Sequence, residues 1–128
     1  MKNEEEKLQI AVCNYIRLQY KDVIFNSDVG SGMRLTKSQA GKAKMMRSGR
    51  GHPDLFIAEP KGMWHGLFIE LKAEGVSVFN QDGTLKAGEH LKEQYDMLMA
   101  LSDRNYLATF AVGFDQAKQL IDTYLNIE

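Results

Sequence analysis

Residues 51–72 read Gly51-His52-Pro53-Asp54-Leu55-Phe56-Ile57-Ala58-Glu59-Pro60-Lys61-Gly62-Met63-Trp64-His65-Gly66-Leu67-Phe68-Ile69-Glu70-Leu71-Lys72. Leu55–Ala58 and Gly66–Leu71 are short runs rich in apolar and aromatic residues, which predicts two strands. Pro60-Lys61-Gly62 between them marks the turn. With the hairpin centred near Gly62, Asp54 falls opposite or diagonal to Glu70, and directly opposed residues have Cβ atoms roughly 4.5–5.5 Å apart. Glu70 and Lys72 are two apart and share that face of the strand. Three charged head groups are therefore expected to meet at one edge of the hairpin.

Two ionised carboxylates about 5 Å apart repel by roughly 3 kcal/mol at an effective dielectric near 20. Glu70 also sits within the apolar run Leu67-Phe68-Ile69, where a charge is costly without a partner. Taken singly, each residue has an ordinary explanation: Asp54 as a turn residue after Pro53, Glu70 and Lys72 as an exposed pair. Taken together they favour a cation held between the acids. Oxygen ligands at an open edge suit Mg2+, with Mn2+ able to substitute, and the chain has no Cys or His cluster for zinc. The chemistry expected is metal-assisted hydrolysis of a phosphodiester. Asp54 and Glu70 hold the ion, the Leu71 carbonyl adds a ligand, and Lys72 orients or helps deprotonate the attacking water.

Gly51-His52-Pro53-Asp54, then Gly66-Leu67-Phe68-Ile69-Glu70-Leu71-Lys72, then Gln94 on a downstream helix, resemble the virus-type replication-repair nuclease (VRR-NUC) branch of the PD-(D/E)XK superfamily. The likeness extends over most of the chain, through Glu5 and Leu8-Gln9 in an opening helix, Asn26-Ser27 after a first strand, and Tyr106-Leu107-Ala108 before the last strand and helix. It implies a catalytic core of Asp54, Glu70 and Lys72, with Gln94 as an active-site neighbour and Glu5 as an additional acid. It also implies a DNA endonuclease acting on branched substrates such as Holliday junctions or flaps, as a homodimer, in a bacterial or phage-infected cell. Among the consecutive acids Glu4, Glu5 and Glu6, helical spacing favours Glu5, which shares a face with Leu8, Val12, Tyr15 and Ile16. An acid in a first helical turn also meets the helix dipole favourably with no catalytic role.

A net charge of −1 over 128 residues means that nucleic-acid binding must be justified locally. Between Val29 and His52 the chain carries Arg34, Lys37, Lys42, Lys44, Arg47 and Arg50 and no acid, and this basic, glycine-rich segment leads directly into Asp54. A phosphate-contacting arm is favoured over a merely solvated loop. The length fits one domain spanning 1–128. With 44% hydrophobic and 26% charged residues, the composition is that of a soluble globular protein. No apolar run approaches the roughly 20 residues needed to cross a bilayer, and the polar start is no signal peptide. A cytoplasmic protein with no membrane partner and no organic cofactor is expected. Cys13 is single and reads as a small core residue.

The expected order is α-β-β-β-α-β-α, an α/β fold with a restriction-endonuclease-like core: a mixed sheet, antiparallel at the hairpin and parallel across a helical crossover, flanked by helices. Helices are predicted at Glu4–Gln19 and Glu89–Leu101, with a last one capped by Asp115. Strands are predicted at Val23–Asn26, Leu55–Ala58, Gly66–Leu71 and Tyr106–Val112. Ser38–Met46 reads as a short helix inside the basic segment, with Met45-Met46 packing. Asn80-Gln81-Asp82-Gly83 is a turn signal in a connection that serves equally well as a substrate-facing flap, a dimer arm or an ordinary loop. Three other classes stand beside the structure-selective nuclease: a DNA-binding module with a nuclease-like fold that does not cut, a restriction-type enzyme reading a defined site, and a structural or interaction protein with no nucleic-acid role.

Overall fold

The structure is a computed structural model, described over residues 2–28 and 35–128. The elements in chain order are α1 (Lys2–Gln19), β1 (Phe25–Ser27), α2 (Lys37–Met45), β2 (Leu55–Ile57), β3 (Leu67–Lys72), α3 (Glu89–Ser102), β4 (Leu107–Val112) and α4 (Gly113–Leu125). The strands form one four-stranded sheet in the order β1-β2-β3-β4. β1 pairs with β2 and β2 with β3 in antiparallel fashion, whereas β4 runs parallel to β3 after the α3 crossover. The mixed α/β architecture expected from the sequence is the one observed.

Strand alternation explains why one helical layer can seal one side of the sheet. Leu67, Ile69 and Leu71 alternate along β3 and join Leu55 and Ile57 of β2 in the main core. That core is completed by Leu8, Val12 and Ile16 of α1, spaced four apart, and by Ala117, Ile121, Tyr124 and Leu125 of α4. Ile16, Ile57, Leu67 and Ile69 are fully buried, and each such side chain contributes about 1.5–3 kcal/mol through removal from water. The intervening β3 residues Phe68, Glu70 and Lys72 occupy the other face. There α3 approaches through Gln94, buried together with Leu98 on the inner stripe of that helix.

Three local expectations are corrected. β1 begins at Phe25 rather than Val23, because the ladder starts at Phe25↔Ile57 and Ile24 is left 71% exposed. α4 starts at Gly113, whose φ of 82° lets the chain turn straight out of β4. Asp115 therefore lies in the first helical turn, while the Gln116 side chain accepts the Val112 N–H at 2.7 Å. Within the basic segment, α2 is a full element with Thr36 and Gln39 forming a capping box, giving the order α-β-α-β-β-α-β-α. It has no buried residue, so Met45 and Met46 are 85% and 81% exposed instead of packing.

Gly51 shows what holds the segment before Asp54. Its φ is +80°, and a Cβ there would fall 2.5 Å from the Glu93 carbonyl oxygen and 2.9 Å from the Gln94 nitrogen. Glycine at this position allows the chain to approach the backbone of α3 closely. A non-glycine residue at positive φ costs about 1–3 kcal/mol before any overlap is counted. Gly51→Ala is expected to lower stability by at least about 2 kcal/mol in urea denaturation. Gly41→Ala, in α2 with open space around it, should be neutral or stabilising by up to about 1 kcal/mol. Equal midpoints for the two variants would show that the loop does not depend on the Gly51 seat.

Candidate active site

Extending the β2–β3 register, Leu55↔Ile69, by one residue places Asp54 opposite Glu70. The ladder ends there, and the Asp54 carboxylate takes over the role of a main-chain acceptor: its Oδ2 accepts the Leu71 N–H at 2.7 Å. The Asp54 carbonyl accepts the Asp28 N–H at 2.7 Å and the Ser27 hydroxyl at 2.9 Å. Gln9 of α1 donates to Ser27 Oγ at 2.6 Å and to the Asp28 carbonyl at 2.9 Å. Asp54 is consequently fixed from both sides, and it is only 7% exposed.

Glu70 is 4% exposed. Its Oε2 accepts from Gln94 Nε2 at 2.9 Å, and Gln94 Oε1 accepts from Lys72 Nζ at 2.6 Å. One amide on α3 thus links the acid and the lysine of β3. Glu70 Oε1 is buried with no hydrogen-bond partner. Burial, followed by the charge of Asp54, pushes the Glu70 carboxyl up to about 10; Lys72 opposes the rise and the charge of Glu5 adds to it. An unpartnered buried oxygen facing a second acid suits a divalent cation, which favours the ionised form that burial disfavours. Among the described residues no group of three or more His, Cys, Asp or Glu side chains could hold a metal. Asp54 and Glu70 offer two carboxylates, a donor set that a hard ion retaining most of its water can use.

The fold is similar to that of a solved structure described as "VRR_NUC domain protein", with 25% identity and a TM-score of 0.68, over 97% of this chain and 89% of that one. This chain carries the VRR-NUC fold. No family model and no curated protein matches the sequence.

Within this fold, the residues singled out from sequence separate into two groups. Asp54, Glu70, Lys72 and Gln94 converge directly, while Leu71 donates its N–H to Asp54 and keeps its side chain in the core. Glu5 is half-buried in the first turn of α1, on the stripe of Leu8, Val12 and Ile16, and its charge is felt at Glu70. The basic residues are dispersed. Lys37, Lys42 and Lys44 are exposed on α2. Arg47 forms a two-pronged contact with Asp28 at 2.6 and 2.7 Å, and Arg50 lies 3.6 Å from Glu93. Arg34 lies outside the described residues. No helix among the described residues is long and apolar enough to cross a membrane.

Sequence reasoning gave no role to Gln9, Asp28 or His90. Asp28 follows β1 and hydrogen-bonds across to Asp54, a position visible only once the register is known. His90 lies one helical turn before Gln94 and places its Nε2 3.2 Å from the same amide nitrogen. The i, i+4 spacing was the available signal.

The raised Glu70 carboxyl sets a pH dependence. The folded protein keeps a proton that the unfolded chain releases near 4.5, so the associated stability is complete below that pH. It is lost as pH climbs toward about 10, by at most about 1.4 kcal/mol per pH unit. In EDTA, Glu70→Gln should match the wild type at pH 5 and exceed it in stability at pH 9. Parallel stability curves for the two proteins across that range would show that Glu70 titrates normally.

Proposed function

We propose that this single VRR-NUC domain is a Mg2+-dependent endodeoxyribonuclease. The observation that carries the proposal is the buried Glu70 carboxylate, with one unpartnered oxygen, opposite Asp54 and tied through Gln94 to Lys72. Asp54, Glu70 and the Leu71 carbonyl would hold Mg2+ or Mn2+, whose chemistry when bound is charge neutralisation at the scissile phosphate and a lowered pKa for a water. Lys72, held by Gln94, orients the attacking water and balances charge as the phosphorus–oxygen bond breaks. Gln94 fixes the relative placement of acid and lysine. Glu5 reaches the waters around the acids from α1. Hydrolysis needs no organic cofactor.

Branched duplex, such as a Holliday junction or a flap, is the substrate we favour, cut by a homodimer that brings one site to each of two strands. Both points follow from the VRR-NUC resemblance and from the symmetry of such substrates, as does action inside a bacterial or phage-infected cell. Among the described residues of the basic segment, exposed Lys37, Lys42 and Lys44 on α2 are the cations best placed to meet phosphates, because Arg47 and Arg50 already face acids.

With Mg2+, the wild type should nick plasmid and cut branched oligonucleotides, while Asp54→Ala and Lys72→Ala each lose about 100-fold or more in rate. Wild-type activity equal to both variants would indicate a DNA-binding module that does not cut. Discrete fragments from linear duplex would indicate site-specific restriction.

Affinity for B-DNA should fall with salt at a log–log slope of about −3, the value for three neutralised phosphates. A flat response in a binding titration would remove α2 from the DNA interface.

A further inference from the structure

Beside the acidic pair, a cavity of about 520 Å³ opens between the sheet and the segment that runs from Met46 to Pro53. Asp54 contributes to its wall together with Asn26, Ser48, His52, Phe56 and Phe68. Asn26, Phe56 and Phe68 are direct partners across three adjacent strands, so they form one row on one face. That row lies two residues from the Asp54–Glu70 row, about 6.6–6.8 Å along the strands, a separation that one nucleotide spans.

The walls define the occupant. Phe56 and Phe68 stack at 4.4 Å with 19° between their planes, and Tyr106 meets both edge-on at 6.1 and 5.2 Å. The pair is thereby held as a rigid, half-buried aromatic platform. The polar wall combines neutral hydrogen-bonding groups, the Asn26 amide, the Ser27 and Ser48 hydroxyls and the His52 ring, with the Asp28 and Asp54 carboxyls, which disfavour an anion; Ser48 and His52 are 3.1 Å apart. Arg47 also borders the cavity, but its guanidinium is matched to Asp28. A flat group with an aromatic face and a hydrogen-bonding edge satisfies all of these walls; an isolated phosphate does not. A cavity of this volume falls in the range of small-ligand sites.

We propose that this cavity receives one unpaired DNA base next to the scissile phosphate, stacked against the Phe56–Phe68 pair and read along its edge by Asn26 and His52. The assignment rests on the nuclease proposal, because Asp54 is what joins the cavity to the cut. A base inside a duplex is paired and stacked and cannot enter; one at a branch point or in a single-stranded flank is already free to do so. The substrate class is thereby narrowed to strands with an unpaired nucleotide beside the cleaved bond.

The test is a binding scan of the wild-type protein in EDTA by fluorescence anisotropy. Forked oligonucleotides carry an abasic residue at each successive position, and the cut position is mapped separately in Mg2+. One abasic position adjoining the cut should weaken binding about tenfold, the effect expected of one lost base–aromatic stack. Phe68→Leu and Asn26→Ala should each flatten the scan. Asn26 is exposed and its replacement leaves the core untouched, so circular dichroism should show a folded variant even if Phe68→Leu fails to fold. A scan flat within twofold, or still peaked in folded Asn26→Ala, overturns the pocket. A flat scan with intact Mg2+-dependent cutting overturns the pocket alone. A peaked scan with no cutting overturns the nuclease proposal and leaves a base-binding cavity.

Discussion

The site depends on the burial of two carboxylates at the point where the β2–β3 ladder stops. Up to Leu55 and Ile69 the strands satisfy each other through backbone groups. One residue further, the Asp54 side chain accepts the Leu71 N–H, and the partnership becomes one of side chain to main chain. This substitution explains how an acid can be buried there. Its charge is offset by a hydrogen bond that the sheet would otherwise have lost, while Glu70, directly across, has no equivalent relief for its second oxygen. The two acids are therefore unlike in environment, although they are neighbours in space. Asp54 is part of the sheet's hydrogen bonding, and Glu70 is held in reserve by desolvation.

The two faces of the sheet divide the labour. Apolar residues of α1 and α4 close over Leu67, Ile69 and Leu71, giving rigidity to a strand whose opposite face carries Glu70 and Lys72. The functional face is assembled from elements far apart in sequence: Gln9 and Glu5 from α1, Ser27 and Asp28 after β1, Asp54 before β2, and Gln94 from α3. Polar side chains span these gaps through hydrogen bonds of ordinary length, and each fixes one element against another. Preorganisation of that kind lets a site favour developing charge without rearranging at the moment of reaction.

The hairpin was legible in the sequence because strand alternation and a Pro-Lys-Gly turn leave little freedom in register: Asp54 does stand opposite Glu70. The stripe of Leu8, Val12 and Ile16 was equally legible from its four-residue spacing, and it correctly singled out the side of α1 on which Glu5 sits. Other features were not, because they depend on tertiary placement. Nothing local distinguishes Arg47, matched to Asp28, from Lys42 and Lys44, which are exposed, since all belong to one basic run. Met45 and Met46 read as packing residues by composition, yet among the described residues no element buries them. Asp115 is a good capping residue in isolation, but the positive φ of Gly113 starts the helix before it.

The seat of Gly51 on the backbone of α3 has a consequence for how this domain can be altered. Contact there is between main chain and main chain, so the strap bordering the cavity and the helix carrying Gln94 are joined by a coupling that demands glycine at 51 and does not use the side chains of the cavity rim. Asn26, Ser48 and His52 can then be exchanged to reshape the hollow without loosening the frame around it. Selectivity and scaffold are separately adjustable, which recommends this rim for redesign.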